Sequence, residues 1–159
     1  MSPRPLVALF AILAITAMDS AAAVRVGELT IRPGNSGVPC FSISQAEEER
    51  SGSPNFHSIT VSDGKTTLWS MAMPSHRTFP VSFRMCIPYA GRLPVLPQTP
   101  AAELQPGRLY EVVIESRMPS NASKPRSYRG RFCVVKGASG AGVLSSVLRS
   151  ACPGASKSI

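Results

Sequence analysis

Proline and glycine interrupt this chain so often that a long helix has almost nowhere to form. Fifteen prolines and twelve glycines are spread over 159 residues. A proline inside a helix removes a backbone donor and clashes with the turn before it. Between the breaks lie short apolar-rich stretches at 24–32, 38–44, 56–62, 66–73, 81–87, 109–117 and 127–136. Each reads as a β-strand, and seven of them in a chain of single-domain length predict an all-β antiparallel sandwich or barrel. Asp63-Gly64 is a hairpin-turn dipeptide between two such runs. The stretch 47–54 reads as a polar loop, and the proline-rich stretch 88–107 as an irregular crossing between sheets. In the first strand Val24 and Val26 share one face but Leu29 and Ile31 the other, so a bulge is expected at Gly27. One helix is predicted, on Val143, Leu144, Val147 and Leu148 after Gly142, stopped by Pro153.

The start of the chain speaks to compartment. Arg4, an apolar run over 6–17 and the small residues Ala21 and Ala23 form an export leader with cleavage before Val24. The run is too short for a bilayer span, which needs about 20 apolar residues. Residues 1–23 are therefore expected to be a cleavable signal peptide and 24–159 a single β-sandwich domain without a membrane anchor. Export to an oxidising compartment makes disulfides of Cys40, Cys86, Cys133 and Cys152. Three connectivities exist, and face parity favours one. Cys86 is out of phase with Val81, Phe83, Met85 and Ile87, and Cys40 with Phe41 and Ile43, so these two outward cysteines suit each other. Cys133 and Cys152 then tie down the C-terminal segment. Each bridge is worth roughly 3–4 kcal/mol on loop-entropy grounds.

Catalytic material is scarce. His57 and His76 are the only histidines, and Asp63 the only aspartate after the leader. No Gly-x-Ser-x-Gly elbow occurs. Ser75 and His76 are neighbours on an extended stretch, so their side chains point apart and make a poor dyad. The cysteine and histidine spacings do not match zinc sites. No catalytic residue, metal or cofactor is expected.

The formal net charge is +8, with 17 basic and 9 acidic residues. Lys124, Arg126, Arg129, Arg131 and Lys136 cluster, and no acid follows Glu115. Outward Glu115 facing Arg129 across a 109–117/127–136 hairpin would cancel part of this patch. Aromatic interleaving for base stacking is thin, so the patch reads as a solvated strand face rather than a nucleic-acid site. Arginine over lysine, with abundant alanine and proline, suits a bacterium with a GC-rich genome. Asn121-Ala122-Ser123 would be a glycosylation acceptor only in a eukaryote.

Leu104, Gly107 and Tyr110 carry a resemblance. Leu six residues before Tyr, with Pro106-Gly107 between them, resembles the tyrosine corner of fibronectin type III and related sandwiches, in which the Tyr hydroxyl bonds upstream backbone. It implies an immunoglobulin/fibronectin III-like sandwich of about seven strands with a short C-terminal helix, and assigns these three residues a structural role. Val112 stands where antibody domains carry a Cys. A second resemblance is spread more widely. Cys40-Phe41, Phe79-Pro80-Val81-Ser82 with Cys86-Ile87, the stretch from Gly107 to Val112, and Tyr128 to Phe132 are similar to the layout of periplasmic immunity-type proteins associated with type VI secretion. Those often carry a lipobox Cys, which this chain lacks. The resemblance implies a periplasmic protein, secreted if the host is not Gram-negative, that binds a secreted toxin and occludes its active site without a cofactor. The other class open is a generic exported binding or structural module of the cell envelope.

Two segments are candidates for a protein partner. The tip of the 109–117/127–136 hairpin offers Ser120, Asn121 and Ser123 as small hydrogen-bonding groups, with Arg117 and Lys124 at its base for acidic residues on a partner's rim. The stretch 71–77 offers Met73 as an adaptable apolar contact, beside Ser75 and His76.

Overall fold

Where alternation of apolar residues is regular, strands form and pair. The computed structural model describes residues 25–34, 37–91, 96–117, 124–136, 142–146 and 152. The elements are β1 (Val26–Pro33), β2 (Pro39–Ile43), α1 (Gln45–Ser51), β3 (Phe56–Asp63), β4 (Thr66–Ala72), β5 (Ile87–Pro88), β6 (Leu109–Ser116), β7 (Ser127–Lys136) and β8 (Gly142–Ser146). The disulfides are Cys40–Cys86 and Cys133–Cys152, the pairing that face parity favours. They are compatible with an oxidising, exported setting. Among the described residues no helix is long and apolar enough to cross a membrane.

The sheet is mixed and continuous rather than a pair of antiparallel layers. Its order is β4-β3-β6-β7-β1-β2-β5, with β8 also on β7, and it curls into a half-barrel. The departure from the expected sandwich starts at β1. Val26–Glu28 run parallel to Ser127–Arg129 of β7, and Leu29–Pro33 then pair antiparallel with β2. By serving two partners in succession, β1 links the β4-β3-β6-β7 side of the sheet to the β2-β5 side. The concave side holds the core: Phe41, Ile43, Phe56, Ile59, Val61, Trp69, Tyr110, Val112, Ile114, Tyr128 and Phe132 are all buried there. Phe132 packs on Phe41 and Tyr110, with ring centroids 5.7 and 5.3 Å apart.

Five local expectations are corrected. The C-terminal segment 142–146 is a strand, not the start of a helix. It pairs with β7 from Lys136 opposite Gly142 to Phe132 opposite Ser146. That edge of β7 is left open when β1 turns away to β2, and filling a ladder outweighs a two-turn helix that is marginal by itself. Residues 147–148 lie outside the described residues. Second, 47–54 is not all loop. Ser44 caps α1 by accepting from the Glu47 N–H at 3.2 Å, and Gly52, at φ 72°, ends the helix.

Third, of the expected 81–87 strand only Ile87 pairs in the sheet, together with Pro88 as β5. Ser82–Met85 forms a turn whose backbone is served by side chains. Arg32 Nη2 donates to the Phe83 and Met85 carbonyls at 2.8 and 2.7 Å, and a Glu48 oxygen accepts from the Phe83 N–H at 3.5 Å. Fourth, no bulge interrupts Gly27. Burial alternates over 26–29 without a phase change, with Gly27 and Leu29 inward and Val26 49% exposed. Gly27 makes room for a ring: a Cβ there would lie 2.3 Å from a carbon of Tyr128. Fifth, the proline-rich connection, which leads from β5 at one end of the sheet order to β4 at the other, is not wholly irregular. It runs along the edge of β4, where Ala72 N–H donates to the Pro97 carbonyl, Thr99 N–H to Ser70 and Ala102 N–H to Leu68, at 2.9–3.0 Å. Such a cover shields an edge strand from pairing with other chains.

Candidate functional site

Arg117, the described foot of the hairpin, joins that stem to the 74–77 loop at one end of the half-barrel. β6 ends at Ser116, and the next residue turns back over the start of β3. Arg117 N–H donates to the Asn55 carbonyl at 2.9 Å, while its Nη2 donates to the Pro74 and Arg77 carbonyls at 2.6 and 2.9 Å. Its Nε is buried without a partner. Arg117 is therefore a clasp on the 74–77 loop, not a rim charge awaiting an acidic partner. The reason is local: the hairpin stem points a long cation at a tight turn, closed by Arg77 N–H to Pro74 carbonyl at 3.0 Å, whose carbonyls converge on it.

The rest of the arch 73–81 is stitched to β3 in the same way. Met73 N–H donates to the His57 carbonyl at 2.8 Å, and Thr78 Oγ1 to the Phe56 carbonyl at 2.9 Å. Phe56 N–H donates to Phe79 and Val81 N–H to Pro54, both at 2.8 Å. Phe79 stacks on Phe56 with centroids 4.8 Å apart. Met73 is half-buried against the core, whereas Ser75, His76 and Arg77 are exposed at the crest. A rigid arch thus presents three polar side chains.

Lys124, at the other foot of the hairpin, is half-buried, and its Nζ would lie 4.0 Å from a Cβ placed on Gly52. It sits over the C-terminal end of α1, where a cation is favoured. Ser120, Asn121 and Ser123 lie outside the described residues. Arg77 and Arg126 are exposed, and among the described residues neither they nor Lys124 enter an ion pair. This end of the molecule is basic. The strand-face patch is cancelled only in part, because Arg129 and Arg131 share the single carboxylate of Glu111, at 3.7 and 3.5 Å. The expected Glu115–Arg129 pair does not form; Glu115 lies opposite Ser127 and accepts from Ser58 Oγ at 3.3 Å.

The residues read as structural converge on the opposite end. Tyr110 is buried, and its hydroxyl accepts from the Gln105 N–H at 2.7 Å and donates to the Gln105 carbonyl at 3.1 Å. Burial raises the Tyr110 phenol above its ordinary value, and the Gln105 bond works against that shift. Gly107 has φ 79°, a left-handed conformation that favours glycine, and its N–H donates to the Val134 carbonyl at 2.7 Å. Leu104 packs on the core rim. Among the described residues no three of His, Cys, Asp and Glu gather as metal ligands.

Two features had no place in the sequence reading. Glu47 is buried, and both its oxygens accept from Arg25 Nη1 at 2.8 Å, with Arg50 at 3.4 Å. The second is a pair of arginines, Arg32 and Arg84, lining a hollow beside the Cys40–Cys86 bridge. Comparison with protein-family models, curated proteins and solved structures returns no match.

Proposed function

We propose that this chain is an exported periplasmic binding protein of the immunity type, which neutralises a secreted toxin by seating the 74–77 arch against the toxin's active site. The observation that carries the reading is the Arg117 clasp. A loop held in one conformation on a rigid sheet loses little entropy on binding, which is how a small protein gains affinity without a large interface. Ser75 and His76 at the crest supply hydrogen bonds inside a polar cleft, while Arg77, Lys124 and Arg126 steer acidic surfaces toward it. Neither catalysis nor a cofactor enters this mechanism. The fold, on the same reading, is a relative of the fibronectin III sandwich; support comes from the Tyr110–Gln105 corner.

The test is calorimetric titration of residues 24–159 against the exported toxin encoded beside the gene. The expected Kd is on the order of nanomolar or tighter, with Ser75→Trp and His76→Trp each weakening it by at least about tenfold. Absence of binding by the unaltered protein rejects the immunity role. Binding untouched by both substitutions removes the arch from the interface.

A further inference from the structure

The two ends of the sheet order do not pair with each other, and the edge of β4 is covered by 97–102. β4 and β5 are its terminal strands, and an apolar hollow of about 250 Å³ lies between them, lined by Met71, Phe79, Met85 and Ile87. Cys86 and Pro88 form one wall. The same two residues also bound a second hollow, of about 430 Å³, that contains Arg32 and Arg84. The two spaces are therefore neighbours across a single ridge. That ridge is fixed by the bridge from Cys86 to Cys40 and by the pairing of Ile87 and Pro88 with β2.

The chemistry of the two hollows is complementary. The apolar one is smaller than small-molecule pockets, which run about 300–1,000 Å³, and suits one apolar side chain. Its two methionines adapt to the shape that enters. No acidic residue lines either hollow. Arg32 is held by the Phe83 and Met85 carbonyls, and the Arg84 guanidinium stands 5.5 Å from the Phe83 ring centroid. Among the described residues neither arginine has an acidic partner. Paired guanidinium groups favour a carboxylate or phosphate. Inorganic phosphate would answer the arginines and leave the apolar hollow empty, whereas an apolar side chain followed by a carboxylate fits both.

We propose that the Cys86–Pro88 ridge is the docking site for an acidic-apolar segment of a partner protein. An apolar side chain enters the seam between β4 and β5, and a carboxylate one or two residues along meets Arg32 and Arg84. The mode is side-chain capture rather than strand addition, because Pro88 has no N–H and the Tyr89 N–H is already given to the Pro39 carbonyl at 2.8 Å. The site lies apart from the crest of the 74–77 arch and does not depend on a toxin-neutralising role.

Titrating isotope-labelled residues 24–159 with acetyl-Ser-Leu-Gly-Asp-Ser-amide, followed by amide NMR shifts, tests this. Saturable shifts are expected at Arg84, Met85, Cys86 and Ile87. Replacing the peptide's Leu by Ala or its Asp by Asn should weaken binding by about tenfold each, in line with burying one side chain and losing one charge pair. Arg84→Gln, at an exposed position, should bind the Asp and Asn peptides more nearly alike. Equal affinity for all three peptides overturns the proposal, as do shifts that inorganic phosphate alone reproduces. Shifts at these amides that grow with protein concentration in the absence of peptide also overturn it, in favour of a second copy of this chain as occupant.

Discussion

Replacing Arg117 with Met should loosen the 74–77 arch while leaving the sheet in place. The guanidinium makes two charge-assisted bonds to carbonyls, at 2.6 and 2.9 Å, each worth about 1.5–3 kcal/mol at most. Water can reach those carbonyls once the clasp is gone, since Arg77 is exposed and Pro74 half-buried. Met keeps most of the aliphatic volume and removes the buried, unpartnered Nε. The net loss in global stability should therefore be only about 1–2 kcal/mol. Locally the effect should be larger. Hydrogen exchange followed by mass spectrometry should show faster exchange over 73–78, including the Arg77 amide that now donates to Pro74. Exchange in β3 and β6 around Ile59 and Ile114 should stay slow. Fixing one residue's backbone costs roughly 1–2 kcal/mol, so a freed arch should also lower affinity for any partner it touches by about tenfold or more. Unchanged exchange in the arch would refute the clasp, and so would loss of the whole fold.

Tyr110→Phe should cost about 1 kcal/mol, since water can take over at the exposed Gln105; the thermal midpoint should fall by roughly 2–6 °C, and no change would remove the corner's structural role. Gly27→Ala should destabilise by about 1–3 kcal/mol through overpacking, because its Cβ would stand 2.3 and 2.5 Å from ring carbons of Tyr128; an unaltered urea midpoint would contradict that contact. Burial raises the phenols of Tyr89, Tyr110 and Tyr128 above the ordinary value of 10.0. Their stabilising contribution is complete below that pH and is lost as pH rises through the folded values, because the unfolded chain releases its protons first. Urea midpoints should thus decline as pH is raised above about 10, and a flat profile would contradict the burial of these rings.

The parts of the fold that a sequence displays well are those governed by alternation. Runs such as 56–62, 109–117 and 127–136 coincide with β3, β6 and β7, because one face of each is buried and the pattern has to record it. Partner choice is not recorded in that way. Nothing in 24–32 distinguishes a strand with one neighbour from one that serves β7 and then β2. The C-terminal strand depends on the same exchange, since β8 occupies the edge that β1 vacates. The helix α1 was legible: Ser44-Gln45-Ala46-Glu47 has the S-x-x-E spacing of a capped helix start, hidden by reading the acidic run only as solvent-loving. Glu47 is nonetheless bent to a different task, pairing with Arg25 instead of returning to the cap. The pairing of Cys40 with Cys86 holds, but not for the reason parity offers: Cys40 is buried on a strand covered on both faces, and Cys86 lies at the end of a turn, where parity has no meaning.

The candidate binding residues were less legible, and the arginines explain why. A sequence records thirteen arginines against four lysines as surface charge, or as a trace of genome composition. Three of them are instead internal fasteners. Arg25 holds Glu47 and Ser51 of α1, Arg32 holds the 83–85 turn, and Arg117 holds the 74–77 arch. In each case one guanidinium bonds groups from a segment distant in sequence, a task for which its planar fork of donors is suited and a lysine ammonium is not. Two of the three bind backbone carbonyls of segments that have no ladder of their own there. A half-barrel with short edges cannot supply enough strand pairing to fix its connecting arms, so side chains with several donors take over that work. The consequence for function is that the nominal charge overstates what a partner meets. Among the described residues Arg77, Arg84 and Arg126 stay exposed and outside any ion pair, beside arms that other arginines hold still.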